Sequence, residues 1–195
     1  MEVSATFYFD LASPAAYLAA ERALSVLPPP CAWQPILART LPGAEAYDAY
    51  RCETDELAAR ERIERRAQAL ALQTVVWPSP FPFDSEFAML ATTYAKRIGK
   101  GVPFALAAFR QAFAGGHALS TPDNVLIAGA SCEMHPSAIL RATETRGIRD
   151  ELARASAEAL EHGVSDVPAV RVDDLELVGE HRLEEAGELL AAQRR

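Results

Sequence analysis

Residues 7–18 read Phe7-Tyr8-Phe9-Asp10-Leu11-Ala12-Ser13-Pro14-Ala15-Ala16-Tyr17-Leu18, an aromatic run that turns within four residues into a Ser-Pro pair followed by helix formers. Residues 3–10 predict a strand, and the run is too apolar for simple alternation, so both of its faces are expected to be buried. Ser13 predicts an N-cap and Pro14 the first helical position, where its missing N–H costs nothing. Ala15 to Leu27 continues the helix until Pro28-Pro29-Pro30 stops it. A second short strand follows over Cys31 to Leu37. Strand, helix and strand joined this tightly predict a βαβ unit with a parallel pair.

The middle of the chain changes character. Helical blocks are predicted over about 53–72, 84–99, 102–115, 121–132, 136–144 and 148–162, interrupted by the loop Trp77-Pro78-Ser79-Pro80-Phe81-Pro82-Phe83. Gly115-Gly116 marks a helix end and Thr121-Pro122-Asp123 a new start. After Gly163 the strand signal returns in Ala169 to Val172 and Leu175 to Val178, joined by Asp173-Asp174, and a last amphipathic helix covers about 182–193. The order predicts an α/β, thioredoxin-like fold with an all-helical domain inserted between its βαβ and ββα halves. Residues 1–44 and 164–195 are the expected thioredoxin-like part, and 45–163 the helical insertion.

Composition narrows the function classes. The 195 residues carry a formal net charge of −8, which argues against a nucleic-acid-binding surface. Arg60, Arg62, Arg65 and Arg66 do cluster, but Glu56, Glu61 and Glu64 are interleaved, the pattern of a solvated helix face. No stretch approaches the roughly 20 apolar residues of a membrane span. Met1 leads straight into the first strand with no basic segment and no long apolar one, so no signal peptide is expected. Cys31, Cys52 and Cys132 are widely separated, with neither a CxxC nor a cysteine–histidine cluster at zinc spacing, so no metal is expected. A reduced, cytoplasmic compartment fits this usage.

The segment 7–18 resembles the opening of 2-hydroxychromene-2-carboxylate isomerases and kappa-class glutathione transferases. These are thioredoxin folds with a helical insertion, related to the disulfide-forming, DsbA-like proteins. The resemblance continues through Trp33-Gln34-Pro35, Phe81-Pro82-Phe83, Gly163 to Pro168 and Gly179 to Leu183. The physics of the helix start can be read beside it. Unpaired N–H groups and the macrodipole stabilise an anion there. A thioredoxin-type enzyme fills that place with its own cysteine thiolate. Here Ser13 offers a hydroxyl and Ala16 stands where a resolving cysteine would, so dithiol exchange at this site is excluded. The resemblance implies a borrowed thiolate, that of glutathione, steadied by the Ser13 hydroxyl.

It further implies that Val167, before Pro168, offers its backbone N–H and C=O to the peptide part of glutathione, like a strand added to a sheet edge. Glu180, His181 and Arg182 then fall at the helix start that would hold the γ-glutamyl end. The family has a small polar residue and an aspartate before the arginine, so Glu180 and His181 are departures. Arg51 is the nearest cation to take the glycine carboxylate, because no lysine precedes Lys96. The implied function is a glutathione-dependent isomerase or transferase acting on a small aromatic or conjugated electrophile. Trp33, Trp77, Phe81 and Phe83 either line its pocket or belong to the core. Two readings stand beside it: an enzyme using another low-molecular-weight thiol, and a non-catalytic binding protein. The resembled fold also dimerises, so a homodimer is open, while no nucleic acid or membrane partner is expected.

Overall fold

The aromatic run becomes one of the two inner strands of a four-stranded sheet. The computed structural model describes residues 5–44 and 53–193. Strands β1 (Ala5–Phe9), β2 (Cys31–Pro35), β3 (Ala169–Val172) and β4 (Leu175–Val178) lie in the order β2-β1-β3-β4. β1 pairs parallel with β2, Phe7 opposite Trp33, and antiparallel with β3, Phe7 opposite Val170. β3 and β4 form the expected antiparallel hairpin, with Asp173 in the left-handed region at φ 51°.

Side chains alternate across β1, and each face meets its own apolar layer. Phe7 and Phe9 point to one side, where both contact Trp33 and where Phe9 meets Phe109. Tyr8 points to the other, into a smaller cluster with Ile36, Ala155, Ala159, Val164 and Val167. Two covered faces explain why the strand reads as continuous apolar sequence.

The helices are α1 (Pro14–Val26), α2 (Glu53–Ala69), α3 (Glu86–Arg97), α4 (Gly101–Phe113), α5 (Pro122–Ser131), α6 (Pro136–Glu144), α7 (Arg146–Glu161) and α8 (Leu183–Ala192). Their bounds fall close to the expected blocks because prolines, caps and glycines punctuate the sequence. Pro14, Pro122 and Pro136 each open a helix. Gly116, at φ +73°, donates its N–H to Ala112 O to close α4. α1 packs on α4 through Tyr17, whose ring meets Phe109 and Phe113. α7 covers the Tyr8 face.

The close of the chain is fitted to α1 by one glycine. An added Cβ at Gly187 in α8 would lie 2.5 Å from the Val26 carbonyl oxygen at the end of α1. Neither backbone yields cheaply there. Gly187→Ala is therefore expected to lower stability by about 1–3 kcal/mol, although alanine is the better helix former. Chemical denaturation measures this, and an unchanged midpoint would show that the helices separate freely.

Candidate functional site

Three segments converge where β1 hands over to α1, and the buried carboxylate of Asp10 ties them together. Its Oδ1 accepts from Ala12 N at 2.9 Å and its Oδ2 from Ala38 N at 2.9 Å. The Ser85 hydroxyl, at the start of α3, adds a third donor. Ser13 N donates to the Asp10 carbonyl at 3.0 Å, so the same residue also sets the height at which α1 begins. Burial pushes the Asp10 carboxyl above the usual aspartate range, against the pull of its backbone donors, Ser85 and the Arg39 charge.

Ser13 caps α1 as its sequence demands. Its Oγ accepts from Ala16 N at 3.1 Å and its carbonyl accepts from Tyr17 N at 3.0 Å. Pro14 has no N–H to give, which leaves Ala15 as the first-turn residue whose N–H neither cap atom takes. The Ser13 side chain is 0% exposed. Its own proton is directed at the Val167 carbonyl across 3.4 Å, well beyond the 2.5–3.0 Å of a good O–H···O bond. The hydroxyl thus holds the helix firmly and the carbonyl loosely.

Ser13, Val167 and Pro168 are brought together as expected, and the Val167-Pro168 peptide is cis. Val167 N–H, however, already has a partner. It donates to the Asp166 side chain at 2.7 Å. Burial raises the Asp166 carboxyl above its usual range, with that N–H pulling it down. The loop that follows β2 leans on the same turn: Gly43 N donates to Ser165 O at 2.7 Å, and a Cβ on Gly43 would come within 2.8 Å of Asp166 Cβ.

The three-residue turn Glu180–Arg182 before α8 is arranged differently from its expected role. The Glu180 carboxylate is largely buried and held by two arginines, Arg22 of α1 at 3.2 Å and Arg66 of α2 at 2.6 Å. Arg22 lies nine residues beyond Ser13, about 14 Å along the helix axis. Arg182 pairs with Glu185 in the first turn of α8 at exposed positions, while the His181 ring lies over Gly179. Glu180 therefore spends its charge inside the protein, while Arg182 is engaged by Glu185 at the surface. Arg51 lies outside the described residues, as does Cys52.

The arginines of α2 do more than face solvent. Besides Arg66, Arg60 sits 5.0 Å from the Trp77 ring centroid and 5.7 Å from that of Phe81. Trp77 and Phe81 are half-buried against Phe113, whereas Trp33 and Phe83 are core. Interleaved signs concealed these longer reaches. Asp10, Asp166, Arg22 and Arg66 are the site residues that sequence reasoning passed over, although Asp10 three before a Ser-Pro and Asp166 beside Val-Pro were signals available to it. Cys31 is no substitute nucleophile, since burial pushes its thiol up to about 11. Among the described residues no group of three histidine, cysteine, aspartate or glutamate side chains is placed to hold a metal ion, and no helix is long and apolar enough to cross a membrane.

The fold and this helix start define a thioredoxin-type protein without sulfur at the thioredoxin position. The chain belongs to the DSBA-like thioredoxin domain family, whose model it matches over residues 5–191. It is similar in structure to a 2-hydroxychromene-2-carboxylate isomerase (TM-score 0.81, 18% identity, 98% of this chain and 96% of that one). A probable DsbA oxidoreductase from Streptomyces coelicolor follows (0.78, 16%, 98% and 89%). So does the cytosolic disulfide reductase DsbM from Pseudomonas aeruginosa (0.65, 15%, 98% and 97%). At these identities the likeness carries the fold. No curated protein matches the sequence.

Asp10 gives a pH signature. Its carboxyl pKa is raised in the folded state, so the folded protein binds this proton more readily than the unfolded chain does. That contribution to stability is complete below the unfolded value near pH 4 and is lost as pH rises through the folded one. Asp10→Asn lacks it and leaves one backbone N–H facing an amide donor, so the variant should be less stable by about 2–3 kcal/mol at acid pH. The gap to wild type should narrow as pH rises from 4 to 7. Thermal melts of both proteins over that range check the sign.

Proposed function

We propose that this protein is a thiol-dependent isomerase or transferase in which Ser13 steadies the thiolate of glutathione, the substrate being a small conjugated electrophile. One observation carries the reading: the Ser13 proton is aimed across 3.4 Å at a carbonyl too far away to hold it well, at the start of a helix. A thiolate at that point is a stronger acceptor than an amide carbonyl and lies in the field of the helix N-terminus. Ser13 Oγ can turn its proton to sulfur while still accepting from Ala16 N, so α1 keeps its cap. Ala15 N–H is the second donor within the first turn. Bound there, a thiolate supplies a soft nucleophile that adds to a conjugated double bond and leaves again, one C–S bond forming and breaking with no net oxidation.

The surroundings support a thiol taken from solution. Neither residue 13 nor residue 16 is a cysteine, and Cys31 is partly buried with its thiol pushed up to about 11. The 2-hydroxychromene-2-carboxylate isomerase is an isomerase on this same fold, and DsbM has also been described with GSH. A cytosolic setting, as named for DsbM, suits a reaction that needs a free thiol.

A second reading, a different low-molecular-weight thiol, is favoured by Glu180. Its carboxylate is committed to Arg22 and Arg66 rather than free to receive a γ-glutamyl ammonium. Calorimetry with glutathione and with cysteine separates the two.

Ser13→Ala removes one hydrogen bond to a charged sulfur, worth about 1.5–3 kcal/mol, so the bound thiol pKa should rise by about 1–2 units. Thiolate absorbance near 240 nm, followed against pH with glutathione bound, reports that shift. An unchanged thiol pKa and unchanged glutathione affinity would remove the catalytic reading and leave a binding protein.

A further inference from the structure

The two polar groups of Val167 are held by the chain's own atoms in unequal ways. The carbonyl receives only the long contact from Ser13, at 3.4 Å, whereas the N–H is bonded to the Asp166 carboxylate at 2.7 Å. An extended peptide laid along this residue needs both groups, the carbonyl as acceptor and the N–H as donor. The acceptor half is nearly free. The donor half is occupied by a charged acceptor, which an incoming neutral amide carbonyl does not readily displace.

Asp166 is also kept in place. Its stem abuts Gly43, whose N–H is bonded to Ser165 O, and a side chain at position 43 would collide with both. Only a glycine there lets the loop after β2 close down on residues 165–166. Gly43 thus closes off one side of the half-buried Asp166 side chain.

We propose that Asp166 is a specificity-determining residue: by occupying the Val167 N–H it weakens the hold on the backbone of peptide thiols, glutathione included, so that these are held chiefly through the thiolate, and it leaves small non-peptide thiols unaffected. This rests on the reading of Ser13 as a thiolate-binding residue. A peptide thiol exchanges one hydrogen bond for another at Val167 and gains little, while a thiol with no backbone never meets the restriction.

The test compares wild type with Asp166→Ala and Asp166→Asn, using glutathione, S-methylglutathione and 2-mercaptoethanol as probes. S-methylglutathione keeps the backbone and lacks the free thiol; 2-mercaptoethanol has the reverse. Calorimetry should show Asp166→Ala binding glutathione and S-methylglutathione about tenfold more tightly, with 2-mercaptoethanol unchanged. Asp166→Asn keeps a neutral acceptor and should recover less of that gain. Equal tightening of all three probes by Asp166→Ala, or equal gains from Asn and Ala, overturns the proposal.

Amide hydrogen exchange at Val167, read by NMR without any thiol, should be faster in Asp166→Ala. An unchanged rate overturns the proposal independently of any ligand. Glutathione binding to wild type with no gain in Asp166→Ala removes the role of Asp166 and leaves the thiol reading standing. Binding of none of the three probes to either protein removes the thiol reading and the bias that rests on it.

Discussion

A carboxylate buried away from water must find donors, and the way Asp10 finds them fixes the geometry around Ser13. Its oxygens take the N–H groups of Ala12 and Ala38 and the hydroxyl of Ser85, so three stretches distant in sequence share one charge. Removing any donor leaves a buried carboxyl oxygen short of a partner, which is more costly than losing a surface hydrogen bond. The end of β1, the turn after β2 and the start of α3 are held in register for that reason. Through its own carbonyl, Asp10 also places Ser13 N and hence the whole first turn of α1.

A second group of charges locks the far end of α1. Arg22 and Arg66 both reach Glu180, joining α1, α2 and the turn before α8. Arg22 also pairs with Glu184 in α8, so these charges form a network in which Arg22 and Glu180 each keep a second partner. The helix that starts at a loosely held hydroxyl is thus tied firmly two and a half turns later. Rigidity near Arg22 and freedom at the Ser13 proton are different properties of one helix, and a site needs both.

Much of this was legible in the amino-acid sequence because local physics writes it there. Ser13-Pro14 declares a helix start, Pro28-Pro29-Pro30 a stop, and the doubly apolar residues 7–9 an inner strand. The resemblance carried by residues 7–18 and 163–168 placed Val167 beside Ser13, and they do meet. The partners of Glu180 were not legible. Arg22 is 158 residues away, and no periodicity encodes a contact at that range. Arg66 hid among alternating signs that ordinarily mark a solvated face. Asp166 stands beside the Val167-Pro168 motif, but a contact with the very next residue follows no periodicity that would single it out.

The complete burial of Ser13 carries a kinetic consequence. A group with no exposed surface is reached only after the protein around it opens. Any ligand that ends at this hydroxyl therefore arrives in two steps, an opening and then a capture. At high ligand concentration the observed rate levels off at the opening rate instead of climbing linearly, and the rate of arrival becomes a property of the protein rather than of diffusion.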